Sequence, residues 1–178
     1  VLLTLGNHDY SRIGVPSRGR DGRREMCFLA WAAQHHRVVL PSPSYNINLG
    51  LARIAVLNTV DFTTRDIEIA SHFFSEPGTG PRPWRIVAAH HAHRYHGDNL
   101  HDAADPRLFD HFWALPDLWV AGHAHYLQLS DVRWAAQKHT MTVAISGSGS
   151  KCYDGPAFFE ANPTECGDEC PMWSSATW

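Results

Sequence analysis

Three short segments gather the residue types that bind metal ions and move protons. Leu3-Thr4-Leu5 runs into Gly6-Asn7-His8-Asp9, Ile86-Val87-Ala88-Ala89 into His90-His91, and Trp119-Val120-Ala121 into Gly122-His123-Ala124-His125. Each time, an apolar run suited to a buried strand stops and a polar, histidine-bearing turn follows. In α/β sheets ligands collect beyond the carboxyl ends of the strands. Three such ends side by side would bring one Asn and at least four His into a single cleft. Imidazole and amide-oxygen donors suit Zn, Fe or Mn, and histidine also transfers protons near neutral pH.

Taken singly, each segment has a plain structural explanation. Gly-Asn is good turn chemistry and Asp9 could cap the turn or orient a neighbouring histidine. His90-His91 could be a polar pair at a strand end. Histidine is abundant, with 13 residues, and His35, His36, His72 and His139 read as surface residues, so spacing has to carry the argument. Two histidines flanking a small residue after a glycine turn, as in Gly122-His123-Ala124-His125, resemble a chelating pair. All three segments in this order, each at a strand end, favour a shared site.

The elements that must position them are legible in outline. Residues 1–5 read as a strand, and 23–35 as a helix with Met26, Leu29, Ala30 and Ala33 on one face. Tyr45 to Leu49 and Ala52 to Leu57 read as a hairpin around Gly50. Residues 64–75 are expected to be helical, as are 105–114, with Pro106 near the start and Asp105 as a cap. Trp84 to Ala89, Leu118 to Ala121, Tyr126 to Leu129 and Met141 to Ile145 are further strands. Strands alternating with helices, then strands in succession, indicate an α/β layered domain.

The chain of 178 residues suffices for one domain with a core. With 44% hydrophobic and 19% charged residues it reads as globular, and a net charge of -3 gives no basic surface for nucleic acid or an anionic membrane. No apolar run approaches the roughly 20 residues that span a bilayer. Three of the four cysteines, Cys152, Cys166 and Cys170, lie in a Pro-, Gly- and Asn-rich tail, and the fourth is Cys27. An even set in such a tail points to disulfides and an extracytoplasmic, oxidising compartment. Cys166-x-x-x-Cys170 also reads as half of a zinc site, although no second ligand pair is near.

Gly6-Asn7-His8-Asp9, His90 and Gly122-His123-Ala124-His125 together resemble the latter three motif blocks of the calcineurin-like metallophosphoesterases. Within that superfamily the text looks most like a small purple acid phosphatase of the tartrate-resistant type. The supporting phrases are Leu40-Pro41-Ser42-Pro43-Ser44-Tyr45, Val87-Ala88-Ala89-His90, Ala121 through Gln128, and Ile145-Ser146-Gly147-Ser148-Gly149. The resemblance implies a β-sandwich flanked by helices, with residues 1–150 as the C-terminal portion of a catalytic domain and 151–178 as a loop-rich tail of that domain. It implies two metal ions (Fe, Zn or Mn) and a phosphate-ester substrate. By it Asn7, His90 and His123 bind the second metal and His125 the first. His8 and His96 are the catalytic candidates. Both of them, with His91, face the substrate phosphate, and Asp9 stands behind. Two ions roughly 3.5–4 Å apart would lower the pKa of bound water and clamp the attacking and leaving oxygens, while a protonated His8 would serve the leaving oxygen.

The same family carries Asp-bearing blocks upstream of the Gly-Asn-His-Asp block, including the carboxylate that bridges the metals, and none precedes Val1. Without it, two neighbouring cations repel with little to offset them. The expectation is that the functional protein is longer, or that a second polypeptide supplies the missing N-terminal strands. Three functions stay open: an acid-phosphatase-like phosphomonoesterase, a phosphodiesterase of the same superfamily, and a catalytically incomplete metal- or protein-binding module.

Overall fold

The computed structural model describes residues 2–6, 9, 39–61, 63–77, 81–92, 111–112, 114–124, 127–134, 138–147 and 169–175, without the side chains of Trp134 and of 169–175. Among the described residues there are seven strands: β1 (Tyr45–Asn48), β2 (Ala52–Leu57), β3 (Trp84–Ala89), β4 (Leu118–Ala121), β5 (Leu127–Trp134), β6 (His139–Ser146) and β7 (Glu169–Ser175). Among the described residues one helix, α1 (Thr64–Ser75), lies between β2 and β3. The strands form one sheet in the order β1-β2-β3-β4-β6-β5-β7. The centre, β2-β3-β4-β6, is parallel, and the flanking pairs β1-β2, β5-β6 and β5-β7 are antiparallel. The fold is α/β. Among the described residues no helix is long and apolar enough to cross a membrane.

Alternation along the strands builds the main core. Ala55 and Leu57 of β2, Val87 and Ala89 of β3, Trp119 and Ala121 of β4, and Met141, Val143 and Ile145 of β6 point to one face. There they meet Ile67, Ala70 and Phe74 of α1, with Phe112 and Leu115. Helix α1 starts with a reciprocal capping box between Thr63 and Asp66. Its other end is closed from the sheet: Arg53 of β2, 4% exposed, donates Nη1 to the carbonyls of Phe73, Phe74 and Glu76 at 3.0, 3.3 and 2.6 Å. A cation belongs at a helix C-terminus, where unpaired carbonyls and the macrodipole are negative.

The opposite face is covered at the β1-β2 end by Leu5 and Leu40, packed on Tyr45 and Val56 with Leu3, Ile47, Ile54 and Ala88 around them. Tyr45 ties this layer down, its hydroxyl lying 2.7 Å from the carbonyl of Leu3 and 2.8 Å from that of Val39. Burial pushes the Tyr45 phenol above its ordinary pKa. Leu2 and Val39 form a parallel bridge, so the strand expected over 1–5 is reduced here to one ladder contact. The expected helices over 23–35 and most of 105–114 fall outside the described residues.

Two differences from the sequence reading concern the far edge. Strand β5 runs to Trp134, beyond the Leu129 expected. Glu169–Ser175, in the stretch read as loop-rich, is a strand paired with β5. Cys170 lies on it, opposite Asp131. Cys27, Cys152 and Cys166 lie outside the described residues, so the disulfide expectation cannot be placed on the fold.

Candidate metal centre

The carboxyl ends of four adjacent parallel strands meet at one edge of the sheet. Strand β2 ends in Asn58-Thr59, β3 in His90-His91, β4 in Gly122-His123-Ala124 and β6 in Gly147. Gly6, whose carbonyl accepts from Asp9 N to close a turn, lies against the end of β3. The edge is tightly built. A Cβ on Gly6 would sit 2.8 Å from Cε1 and Nδ1 of His90, so only glycine lets that turn lie on the imidazole. A Cβ on Gly147 would stand 2.0 Å from the carbonyl oxygen of Ala124, which fixes the β4 turn against the end of β6.

His90 Nε2 and His123 Nδ1 are 2.9 Å apart. With metal–nitrogen bonds of about 2.0–2.1 Å, that separation subtends about 90° at a shared ion. The rings of His90 and His123 are inclined at 72° with centroids 4.8 Å apart, and those of His91 and His123 lie 4.5 Å apart. One nitrogen from each of His90, His91 and His123 falls within 4.8 Å of the others, which makes the three a group able to hold a metal ion. Three imidazoles are the donor set that zinc and its neighbours accept. The residues present therefore fit a metal.

His123 reaches this point through a left-handed backbone, with φ of 58°. Gly122 and Ala124 close a tight turn across it, with Ala124 N donating to Gly122 O at 2.7 Å. A non-glycine residue held there costs on the order of 1–3 kcal/mol, and the surrounding structure has to impose it. Gly122 N donating to His90 O at 3.1 Å, and the Gly147 contact, supply that constraint.

Of the sequence-based site residues, the structure brings His90, His91 and His123 together. Asn7, His8, His96 and His125 lie outside the described residues. Asp9 accepts from Gly6 N at 2.6 Å and its own N–H returns to Gly6 O at 3.0 Å, which is the turn-closing arrangement. Sequence reasoning passed over Thr59, 7% exposed, whose Oγ1 lies 3.0 Å from His91 Nδ1 and accepts from His91 N at 2.9 Å. The strand-end rule that singled out the histidines would also have pointed to Thr59, since it follows β2 as they follow β3 and β4.

No protein-family model and no curated protein sequence matches the chain. Among solved structures, the fold is similar to that of the purple acid phosphatase PPD1 from yellow lupin (Lupinus luteus) seeds, with a TM-score of 0.60 and 16% identity. The match covers 97% of this chain and 34% of the lupin protein, so the chain spans about a third of the length of that enzyme. A second match, to the GAP50 anchor of the inner membrane complex of Plasmodium, has a TM-score of 0.48 and 13% identity over 78% of this chain and 45% of that one. At these identities the likeness is one of fold. The nearby histidines are this chain's own observation.

Proposed function

We propose that the chain is the metal-binding portion of a calcineurin-like phosphoesterase that hydrolyses phosphate monoesters in the manner of an acid phosphatase. The observation that carries this reading is the 2.9 Å approach of His90 and His123 from neighbouring strand ends, in a fold similar to a purple acid phosphatase. His90 and His123, with Asn7, hold one ion, and His125 contributes to a second. Bound metal supplies charge neutralisation at the phosphoryl oxygens and an acidic water. This chain's residues do the rest: His8 presents a proton to the leaving oxygen, and His8, His91 and His96 bind the phosphate. The bridging carboxylate and the remaining ligands of the second ion would come from additional strands, on the same polypeptide or a partner. The cysteines and an extracytoplasmic location belong to the same reading.

One observation favours a second reading, a metal-binding module without turnover. Among the described residues no carboxylate belongs to the three-histidine group, and two adjacent cations need one. Turnover of p-nitrophenyl phosphate and of bis-p-nitrophenyl phosphate, measured across pH on protein of known metal content, separates the two. Monoester turnover that needs metal and disappears in His8→Ala supports the hydrolase. Metal-loaded protein inert to both esters supports the module.

A further inference from the structure

His91 follows His90 in sequence, and in an extended strand the two side chains would face opposite sides of the sheet. Strand β3 ends at Ala89, however, and the chain bends at both histidines. Their rings stand 4.8 Å apart at 78°, and the His91 ring lies 4.5 Å from that of His123. His91 is held there from two sides. Its N–H donates to Thr59 Oγ1 at 2.9 Å, and its carbonyl accepts the indole N–H of Trp119 at 3.1 Å. Trp119 is fully buried and Thr59 nearly so. The ring itself is held by the contact of Nδ1 with Thr59 Oγ1.

We propose that His91 is a metal ligand through Nε2, in place of the phosphate contact given to it above, and that Thr59 is its positioning residue. His90, His91 and His123 then share one divalent ion of the zinc type. A hydroxyl has two lone pairs. Thr59 Oγ1 uses one for the backbone N–H of His91; in the proposed tautomer it uses the other for Nδ1–H, which leaves the donor pair on Nε2. A hydrogen bond on the far nitrogen of a ligating histidine fixes its tautomer and ring orientation in this way. Nitrogens sharing an ion at about 2.1 Å lie roughly 3.0–3.5 Å apart. The ligand atoms of the three residues lie within 4.8 Å of one another, so a shared ion draws them together by no more than about 1–2 Å.

The inference rests on reading the cluster as a metal site and is independent of hydrolysis, so its test reads no turnover. The full chain, freed of metal by chelation, is titrated with Co2+ while the visible d–d absorption and the stoichiometry are recorded. Competition with Zn2+ sets the affinity scale. His91→Ala is expected to weaken binding at least about 100-fold and to change the Co2+ spectrum. Thr59→Val is expected to weaken it about 10- to 100-fold, and Thr59→Ser to restore it to within a few-fold. A His91→Ala protein with wild-type Co2+ affinity and spectrum overturns the proposal. Because a variant can fail to fold, the wild-type chain labelled with 15N-histidine is also loaded with 113Cd. A one-bond 113Cd coupling to His91 Nε2, with Nδ1 still protonated, is expected, and coupling to His90 and His123 without His91 overturns the assignment. Protein that binds the ion through His91 yet turns over no ester would sink the hydrolase reading and leave this one standing. Turnover with unaltered metal binding in His91→Ala would do the reverse.

Discussion

The two ends of the same strands are built on opposite electrostatic plans. At their amino ends, Asp117, just before β4, collects the cations of its neighbours. Its carboxylate accepts from Arg85 N at 2.9 Å and Arg85 Nη2 at 3.0 Å, pairs with Arg82, and lies 4.0 Å from His139 at the start of β6. Its backbone joins in, with Asp117 N donating to Arg85 O at 2.7 Å and Thr142 N to Asp117 O at 3.0 Å. Burial alone would raise the Asp117 pKa. The hydrogen bonds from Arg85, with the charges of Arg85 and Arg82, outweigh burial and hold the carboxyl below its ordinary range. At the carboxyl ends, three imidazoles crowd together with no carboxylate among the described residues in their group, His123 on a left-handed backbone and the His90 ring against Gly6. One end matches its charges and locks the strands. The other accumulates donors and strain that only a ligand would reward, as functional sites do.

The largest effect is expected from breaking the carboxyl end at His123. His123→Gly removes a ligand and relieves the φ of 58°. On the phosphoesterase reading, metal-dependent turnover should fall by at least about 1000-fold, roughly 4 kcal/mol. Thermal stability of the metal-free protein should hold or rise by up to about 1 kcal/mol. A parallel loss of metal-free stability would mean that His123 is structural. Next in size, Gly147→Ala forces a Cβ to within 2.0 Å of the Ala124 oxygen. Denaturant unfolding should show a loss of about 3 kcal/mol, accompanied by weaker metal binding as the β4 turn shifts.

At the amino end the effect should be on stability alone. Asp117→Asn removes a charge-assisted set of hydrogen bonds and should cost about 1–3 kcal/mol at neutral pH, with metal affinity unchanged. The sign of its pH dependence follows from linkage. The folded pKa of Asp117 lies below the unfolded one, so its contribution is complete above the ordinary carboxylate range and disappears as pH falls through the folded value. Urea midpoints measured down the acid range should therefore converge for wild type and Asp117→Asn, and curves that stay parallel would refute the assignment. The smallest change is expected for Arg82→Ala. The Arg82 side chain is 62% exposed, and such a surface pair should contribute less than about 0.5 kcal/mol.

How much of this was legible in the sequence depended on whether packing followed local pattern. Strands β2, β3 and β4 and helix α1 have the boundaries that their apolar runs indicate, because each buries a continuous or one-sided apolar set. Strand β5 escaped beyond Leu129 because the next inward residue is Ser130, buried with its Oγ accepting from Gln128 Nε2 at 3.3 Å. A polar inward set hides the usual alternation. Strand β7 escaped because Pro171 reads as a breaker. It sits at the sheet edge opposite Ser130, where the register shifts, a place that tolerates a missing N–H. The site followed the same division. Strand ends predicted the meeting of His90 and His123, whereas the turning of His91 toward them depends on a bend and on Thr59, a partner 32 residues away. Pattern within a segment cannot disclose such a contact.

The histidines at the ends of β3 and β4 are the heart of the account, and an anomalous difference map addresses them most directly. Crystals of the chain grown with Zn2+ and measured at the zinc edge should show a peak about 2.1 Å from both His90 Nε2 and His123 Nδ1. Ordered His90 and His123 rings with the metal peak elsewhere on the molecule would contradict it.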